Sequence, residues 1–284
     1  MSLRSQSDGA QPADHAGPRR VDLARELEAA RGAALAAGEL LRRHWHERGF
    51  EVNHKGKDNP VTTADFEADQ KLKEILHGGF PEYGWLSEET ADDGLRLERD
   101  RVWIVDPLDG TKEFIKGVPE FVVAIALAER GAPVLGVTYN PIKHELFTAV
   151  RGMGAYLDGA PIYVTRTSTL MHATVLASRS ETARGEWKAY EGSMKVHPMG
   201  SVAYKLALVA AGRADATFTR SPKSEWDIAA GAVLILEAGG HITDIDGNEL
   251  RFNRPSVKVK GLVASNGLLH EQLERLLPGR GDKK

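Results

Sequence analysis

Two carboxylates three positions apart, Asp106 and Asp109, close the stretch Val102-Trp103-Ile104-Val105-Asp106-Pro107-Leu108-Asp109-Gly110-Thr111. Four mostly apolar, strand-favouring residues precede them, and Pro107 removes a ladder donor between them. The pattern reads as a buried strand that stops abruptly at a site. Gly110 and Thr111 add backbone N–H groups, a hydroxyl and a helix start, which suits a phosphate, while the two carboxylates suit a hard divalent cation. The plainer alternative is a strand end with an Asx-type turn, where Asp and Gly are ordinary residues.

Three further acids have a double reading. Asp227, in Ser224-Glu225-Trp226-Asp227-Ile228-Ala229-Ala230-Gly231, stands in the first turn of an apolar helix. There it either complements the helix dipole or is delivered by the helix into the pocket of Asp106 and Asp109. Asp65 follows Thr62-Thr63-Ala64 and precedes Phe66, Leu72, Ile75 and Leu76, a capping-box opening in which the acid also serves the helix end. Glu88 and Glu89 form a pair of a kind that is ordinarily solvated, yet they follow a short apolar run and lie just upstream of the strand that ends at Asp106.

The elements that must position these groups follow from periodicity. From Val21 to Trp45, Leu23, Leu27, Ala30, Ala34, Leu40 and Leu41 recur at helical spacing, and Val52 to Val61 reads as a polar loop no core could absorb. A second helix ends at Gly78-Gly79, a short strand lies within Pro81 to Leu86, and Ala91 to Arg101 is a charged, mobile loop. Runs 121–128, 133–139 and 145–150 are strands joined by turns, with a further hairpin at Asp158-Gly159, so the sheet is antiparallel. Beyond residue 170 strands at 174–177, 195–198, 215–218 and 262–264 alternate with helices at 181–190, 201–212, 225–238 and 268–277, the mark of an open α/β layer. The expected organisation is a leader over 1–20 without fixed structure, an α+β part over 21–170, an α/β part over 171–278 and a loose tail over 279–284.

Composition narrows the class. With 284 residues the chain can bury a substantial core. The 37 basic and 40 acidic residues, net charge -3, give no general attraction to nucleic acid polymers or anionic membranes. The longest apolar runs are too short or too polar to span a bilayer, and Met1 to Arg20 lacks the apolar centre of a signal peptide. No cysteine is present, which excludes disulfides, thiolate ligands and a Cys nucleophile and fits a cytoplasmic location.

The order Glu88-Glu89, Asp106-Pro107-Leu108-Asp109-Gly110-Thr111 and Trp226-Asp227-Ile228-Ala229-Ala230-Gly231 resembles the lithium-sensitive, Mg2+-dependent phosphomonoesterase superfamily of inositol monophosphatases, over about residues 20 to 275. Asp109-Gly110-Thr111-Lys112-Glu113-Phe114 is similar to the bacterial 3'(2'),5'-bisphosphate nucleotidases within it. The resemblance implies a layered αβαβα sandwich. It implies two or three Mg2+ ions held by Glu88, Asp106, Asp109, Asp227 and the carbonyl of Leu108, with Asp65 assisting. It also implies that Glu88 and Thr111 polarise the attacking water and that Gly110 and Thr111 hold the scissile phosphate.

That assignment is chemically sensible. Phosphate monoesters hydrolyse so slowly unaided that accelerations reach about 10^21. Two cations about 3.5 to 4 Å apart can both activate water and stabilise the leaving oxygen. For the rest of the substrate, Ser178-Arg179-Ser180, Ser201, Lys205 and Arg220 resemble the family's positions around a nucleotide and its second phosphate. Arg179 and Arg220 are otherwise surface charges, and Lys205 otherwise caps the solvent face of its helix. Inositol phosphatases of the family place an acid near 219 to 220, where this chain has Thr219 and Arg220, a departure that favours a second phosphate.

The reading that results is a Mg2+-dependent 3'(2'),5'-bisphosphate nucleotidase, converting adenosine 3',5'-bisphosphate, a by-product of sulfur metabolism, to AMP and phosphate. The alternatives are an inositol monophosphatase or broad sugar phosphatase, and a non-catalytic binder of phosphorylated ligands. The partner is a small phosphorylated substrate; a homodimer is left open.

Overall fold

Residues 22–56 and 59–277 are described by the structure, a computed structural model. The expected leader over 1–20 and tail over 279–284 lie outside the described residues.

Helix α1 (Ala24–Glu47) turns a face of small residues, Ala30, Ala33, Ala34 and Ala37, into the core. Small side chains let it lie close against α2 (Thr63–Gly79), which buries Ala64, Ala68, Leu72 and Leu76. Between them, the segment expected as a polar loop is an antiparallel hairpin of β1 (Val52–Gly56) and β2 (Asn59–Thr62). All five residues of β1 are exposed, so the alternation that marks a half-buried strand is absent from its sequence.

Strands β3 (Gly84–Ser87) and β4 (Arg101–Asp109) run parallel. The charged segment between them is docked, contrary to the expectation of a mobile loop. Arg96 is buried in a short 3-10 turn, and its guanidinium donates to Asp92, to Asn253 Oδ1 at 2.8 Å and to the carbonyl of Arg254 at 3.1 Å. Its distant partners are invisible to local reading. After α3 (Thr111–Lys116), β5 (Val122–Glu129), β6 (Ala132–Asn140), β7 (Glu145–Val150), β8 (Gly154–Leu157) and β9 (Ala160–Ile162) complete a seven-stranded sheet ordered β3-β4-β5-β6-β7-β8-β9, antiparallel from β4 onward.

The chain then forms β10 (Thr174–Ser178), α4 (Arg179–Ala183), β11 (Lys195–Met199), α5 (Val202–Ala210), β12 (Ala216–Thr219), β13 (Lys223–Ser224) and α6 (Glu225–Glu237). It ends with β14 (His241–Asp244), β15 (Lys258–Val259), β16 (Leu262–Ser265) and α7 (His270–Leu276). The helix expected over 181–190 is the five-residue α4 and a separate 3-10 turn, because Gly185 takes a φ of 80° between them. Five strands form a mixed sheet ordered β11-β10-β12-β16-β14.

Burial fixes the layers. On β4, Trp103 and Val105 face α1 and α2, whereas Val102 and Ile104 face α5 and α6. Those two central helices share a core with both sheets through Leu206, Ile228, Ala230, Leu262 and Ala264. On the far face of the five-stranded sheet, Val175, Phe218 and Val263 pack beneath Leu273 of α7 and Trp187. The result is a layered αβαβα sandwich. Gly136 of β6 is one device that makes it tight: a Cβ there would collide with the carbonyl oxygen of Ala230 on α6. Among the described residues no helix is long and apolar enough to cross a membrane.

Candidate active site

The strand β4 ends as its sequence requires. Asp106 pairs with Ala124 and Asp109 with Val122, so β4 spends one extra residue where Pro107 cannot donate to the ladder. Such a bulge re-aims side chains at a sheet end, and here both aspartates line a cavity of about 270 Å³. Gly110 then takes a φ of 111°, and a Cβ on it would lie 2.7 Å from the carbonyl oxygen of Glu120. Only glycine fits that turn into α3, whose first turn leaves N–H groups without intrahelical acceptors.

Glu88, Asp106 and Asp227 offer carboxylate oxygens that lie within 4.8 Å of one another. They come from the end of β3, from β4 and from α6. Burial first, and then the charges of Glu88, Asp109 and Asp227, push the Asp106 carboxyl well above its ordinary range. Asp227 is pushed up to about 7 by burial, then by Asp109 and Glu88. Such mutually repelling, all-oxygen donors, Asp106 buried and Glu88 and Asp227 half-buried, fit a hard divalent cation. Asp109 lines the same cavity, with Oδ2 accepting from Ser201 Oγ at 2.7 Å and from the N–H of Ala203 at 2.5 Å. Leu108 lines it too, and its carbonyl accepts from Thr111 Oγ1 at 3.2 Å.

The double readings of Asp65 and Asp227 prove compatible. Asp65 completes the capping box of α2, Oδ2 accepting from the N–H of Thr62 at 2.8 Å, while Oδ1 accepts from Thr111 Oγ1 at 3.1 Å. Asp227 completes the capping box of α6 by accepting from the N–H of Ser224 at 2.8 Å. Capping occupies one oxygen of each; the second oxygen of Asp227 is left to the cavity that residue lines, whereas Asp65 does not line the cavity and its second oxygen is taken by Thr111.

Residues expected around the substrate are distributed unevenly. Gly110, Thr111, Ser178, Arg179, Ser201, Lys205 and Asp227 line the cavity; Arg220 does not. It is exposed in a separate cleft with Trp187 and Tyr190. Arg179 is held by carboxylates, with Nη2 2.5 Å from Glu120 and Nε 3.5 Å from Glu113. Lys205, expected on a solvent face, is 5% exposed, and among the described residues it has no ion pair. Burial, reinforced by Lys223, lowers its ammonium to about 8. No acid stands at 219 to 220, and the buried Glu181 of α4 lines the Arg220 cleft and not the cavity, its two carboxylate oxygens accepting from Thr219 Oγ1 and from Trp187 Nε1.

Several contributors were not foreseen. Asp69, one turn beyond Asp65 on the buried face of α2, accepts from Ser87 Oγ at 2.5 Å and Thr90 Oγ1 at 2.7 Å and so anchors the segment carrying Glu88. The four-residue spacing of the two aspartates was its only signal. Lys55 of β1 reaches Glu88 Oε1 at 3.2 Å and Glu89 Oε1 at 2.5 Å. Lys112 and Glu113, already part of the motif that follows Asp109, line the cavity, and so does Lys223, which was not foreseen.

The family model described as "Inositol monophosphatase family" matches residues 22–280. The inositol-1-monophosphatase of Caulobacter vibrioides is 38% identical over 261 residues, covering 88% of this chain and 96% of that protein. The Nus factor SuhB of Xylella fastidiosa is 33% identical, covering 88% and 93%. Among solved structures, the extragenic suppressor protein suhB of Bartonella henselae superposes with a TM-score of 0.81 at 33% identity, covering 90% of this chain and 99% of that one. The Thermotoga maritima IMPase gives 0.80 at 31% identity, covering 89% and 96%. Matched over nearly its whole length by family, relatives and fold, and carrying its converging carboxylates where three elements meet, the chain belongs to the inositol monophosphatase family.

Proposed function

We propose that the protein is a Mg2+-dependent phosphomonoesterase acting on a small phosphorylated alcohol. The observation that carries this reading is the convergence of Glu88, Asp106 and Asp227 beside the first turn of α3. Together with Asp109 and the Leu108 carbonyl they would hold two or three ions through oxygen atoms alone. When bound, the cations neutralise phosphoryl charge and lower the pKa of the attacking water.

The remaining roles fall to the chain. Thr111 Oγ1 directs its single proton toward Asp65 or the Leu108 carbonyl, so its lone pairs are left to accept a hydrogen bond from water. Glu88 accepts from the same water. The N–H groups of Gly110 and Thr111 would hold the phosphate oxygens; water attacks phosphorus and gives up a proton to Glu88 as the P–O ester bond breaks, and the departing alkoxide takes up a proton from solvent, leaving the alcohol and phosphate.

For the alcohol, the names of the relatives support an inositol monophosphate. Adenosine 3',5'-bisphosphate is the second reading. It is favoured by Lys112, Arg179, Lys205 and Lys223 lining the metal cavity, cations that a neutral polyol does not require. Phosphate release from inositol 1-phosphate, adenosine 3',5'-bisphosphate and fructose 1,6-bisphosphate at fixed Mg2+ separates these readings. Release from none of them, or release unaffected by chelation, would overturn the phosphomonoesterase reading.

A further inference from the structure

Two buried charged side chains stand behind the metal cavity without lining it: Arg96, whose side chain is 1% exposed, and Glu225, at 0%. One short piece of chain, Asn253-Arg254, joins them. Arg96 Nη1 donates to Asn253 Oδ1 at 2.8 Å and Arg96 Nη2 to the carbonyl of Arg254 at 3.1 Å, while Asn253 Nδ2 donates back to the carbonyl of Arg96 at 3.1 Å. On its other side the same piece serves Glu225: the N–H of Asn253 donates to Oε2 at 2.6 Å and the N–H of Arg254 to Oε1 at 3.1 Å.

Each end of this relay is fixed to an element that delivers a converging carboxylate. Glu225 is the first residue of α6, and Asp227 follows two positions later. Arg96 packs on β3, where a Cβ on Gly84 would stand 3.0 Å from the Arg96 Cα, and β3 runs directly into Glu88. The joining piece is itself anchored, because the N–H of Phe252 donates to the carbonyl of Gly131 at 2.9 Å and the Phe252 side chain is buried. Burying a charge for stability alone is inefficient, since desolvation offsets the attraction. What a buried guanidinium adds is a rigid fork with a fixed direction at each donor.

We propose that Arg96, Asn253 and Glu225 form a brace that sets the spacing of Glu88 and Asp227, which makes them positioning residues for the metal site. The inference rests on the metal-dependent reading given above. Glu88, Asp106 and Asp227 repel one another when no cation lies between them, and Mg2+ takes oxygen ligands only near ideal octahedral geometry. The brace holds β3 and α6 together against that repulsion, so the donors are already close when the ion arrives. Loosening it lets the two elements drift apart, and part of the binding free energy then goes into bringing them back.

Asn253→Gly breaks the brace at its middle with little else changed. Glycine suits the φ of 55° at this position, the N–H to Glu225 stays, and Arg96 keeps Asp92 and the Arg254 carbonyl. Arg96→Lys keeps the charge beside Asp92 but has no planar fork to span Asn253 and Arg254. Calorimetric titration of chelator-stripped, substrate-free protein with Mg2+ reads the site without turnover. Both variants are expected to bind Mg2+ on the order of tenfold more weakly, the low end for residues placed behind metal ligands. Phosphate release from the ester that the wild type hydrolyses should need correspondingly more Mg2+, with KM for that ester unchanged at saturating Mg2+. Leu273→Ala, under α7 on the far face of the five-stranded sheet, lowers the denaturation midpoint without touching the brace and should leave Mg2+ affinity as in wild type. Unchanged Mg2+ affinity in Asn253→Gly, or an equal loss in Leu273→Ala, overturns the brace. If Arg96→Lys does not fold, Asn253→Gly decides alone. Wild type that takes up no Mg2+ strikes the metal-dependent reading itself, whereas Mg2+ uptake equal in wild type and Asn253→Gly strikes only the brace.

Discussion

The Asp109 carboxylate is clamped by Ser201: Oδ2 accepts the serine hydroxyl at 2.7 Å and the N–H of Ala203 at 2.5 Å, tying the end of β4 to the start of α5. The same hydroxyl oxygen caps α5 by accepting from the N–H of Tyr204 at 3.0 Å. One side chain therefore both ends a helix and aims a cavity-lining carboxylate.

Ser201→Ala should accordingly do two things. Losing the cap costs about 1 kcal/mol of stability, read as a lower denaturation midpoint. The released carboxylate should also raise the Mg2+ concentration needed for half-maximal phosphate release. A stability loss with unchanged Mg2+ dependence would reduce Ser201 to a cap.

Asp106→Asn should invert the effect of metal on stability. Without a cation the buried Asp106 is repelled by Glu88, Asp109 and Asp227, so the amide should raise the Tm in chelator, by roughly 2–4 °C per kcal/mol relieved. In Mg2+ the wild type should gain and the variant should not, with phosphate release abolished. Differential scanning fluorimetry with and without Mg2+ checks the crossing.

Lys205 supplies a pH signature. Burial, then the facing charge of Lys223, lowers its ammonium to about 8, while Glu181, Asp109 and Glu113 act in the opposite direction. The unfolded chain, at the ordinary 10.5, binds the proton more tightly, so below pH 8 the charged lysine opposes folding by on the order of 3 kcal/mol, and the opposition fades as pH rises from 8 to about 10.5. In metal-free protein Lys205→Met should therefore be more stable than wild type at pH 7, with the gap closing toward pH 10.5. Denaturant titrations at both pH values measure it. A gap independent of pH would mean that packing, not charge, separates the two.

Gly136→Ala reaches the site from a distance. The new methyl would strike the carbonyl oxygen of Ala230 and push α6 off the sheet, an overpacking cost of about 1–3 kcal/mol. Asp227 lies one turn before Ala230, so weaker Mg2+ dependence should accompany the lower denaturation midpoint. Unaltered Mg2+ dependence would show that α6 relaxes without moving its first turn.

Much of this was legible in the chain. Helical periodicity marked α1, α2, α5 and α6, because a helix buried on one side must repeat its small and apolar residues every three or four positions. The capping pattern at Thr62, the first-turn position of Asp227 and the donor types of Asp65, Glu88, Asp106 and Asp109 could be read directly, since caps, turns and ligand types are local properties; the capping box at Ser224 emerged only in the structure. Other features could not be read this way. The β1–β2 hairpin lacks a buried face to betray it, and Arg96 is buried only because Asn253 and Arg254 arrive from the far end of the chain.

The sequence by itself determined which chemistry is available: hard oxygen donors, a glycine turn that only glycine can make, and a threonine beside it. The tertiary structure decided which of those groups meet. It joined Asp227 to Glu88 and Asp106, turned Lys205 inward, left Arg220 outside and held Arg179 between two glutamates. The physical reason is that donor type is a covalent property of each residue, whereas distance and burial arise only when α5 and α6 are packed between two sheets.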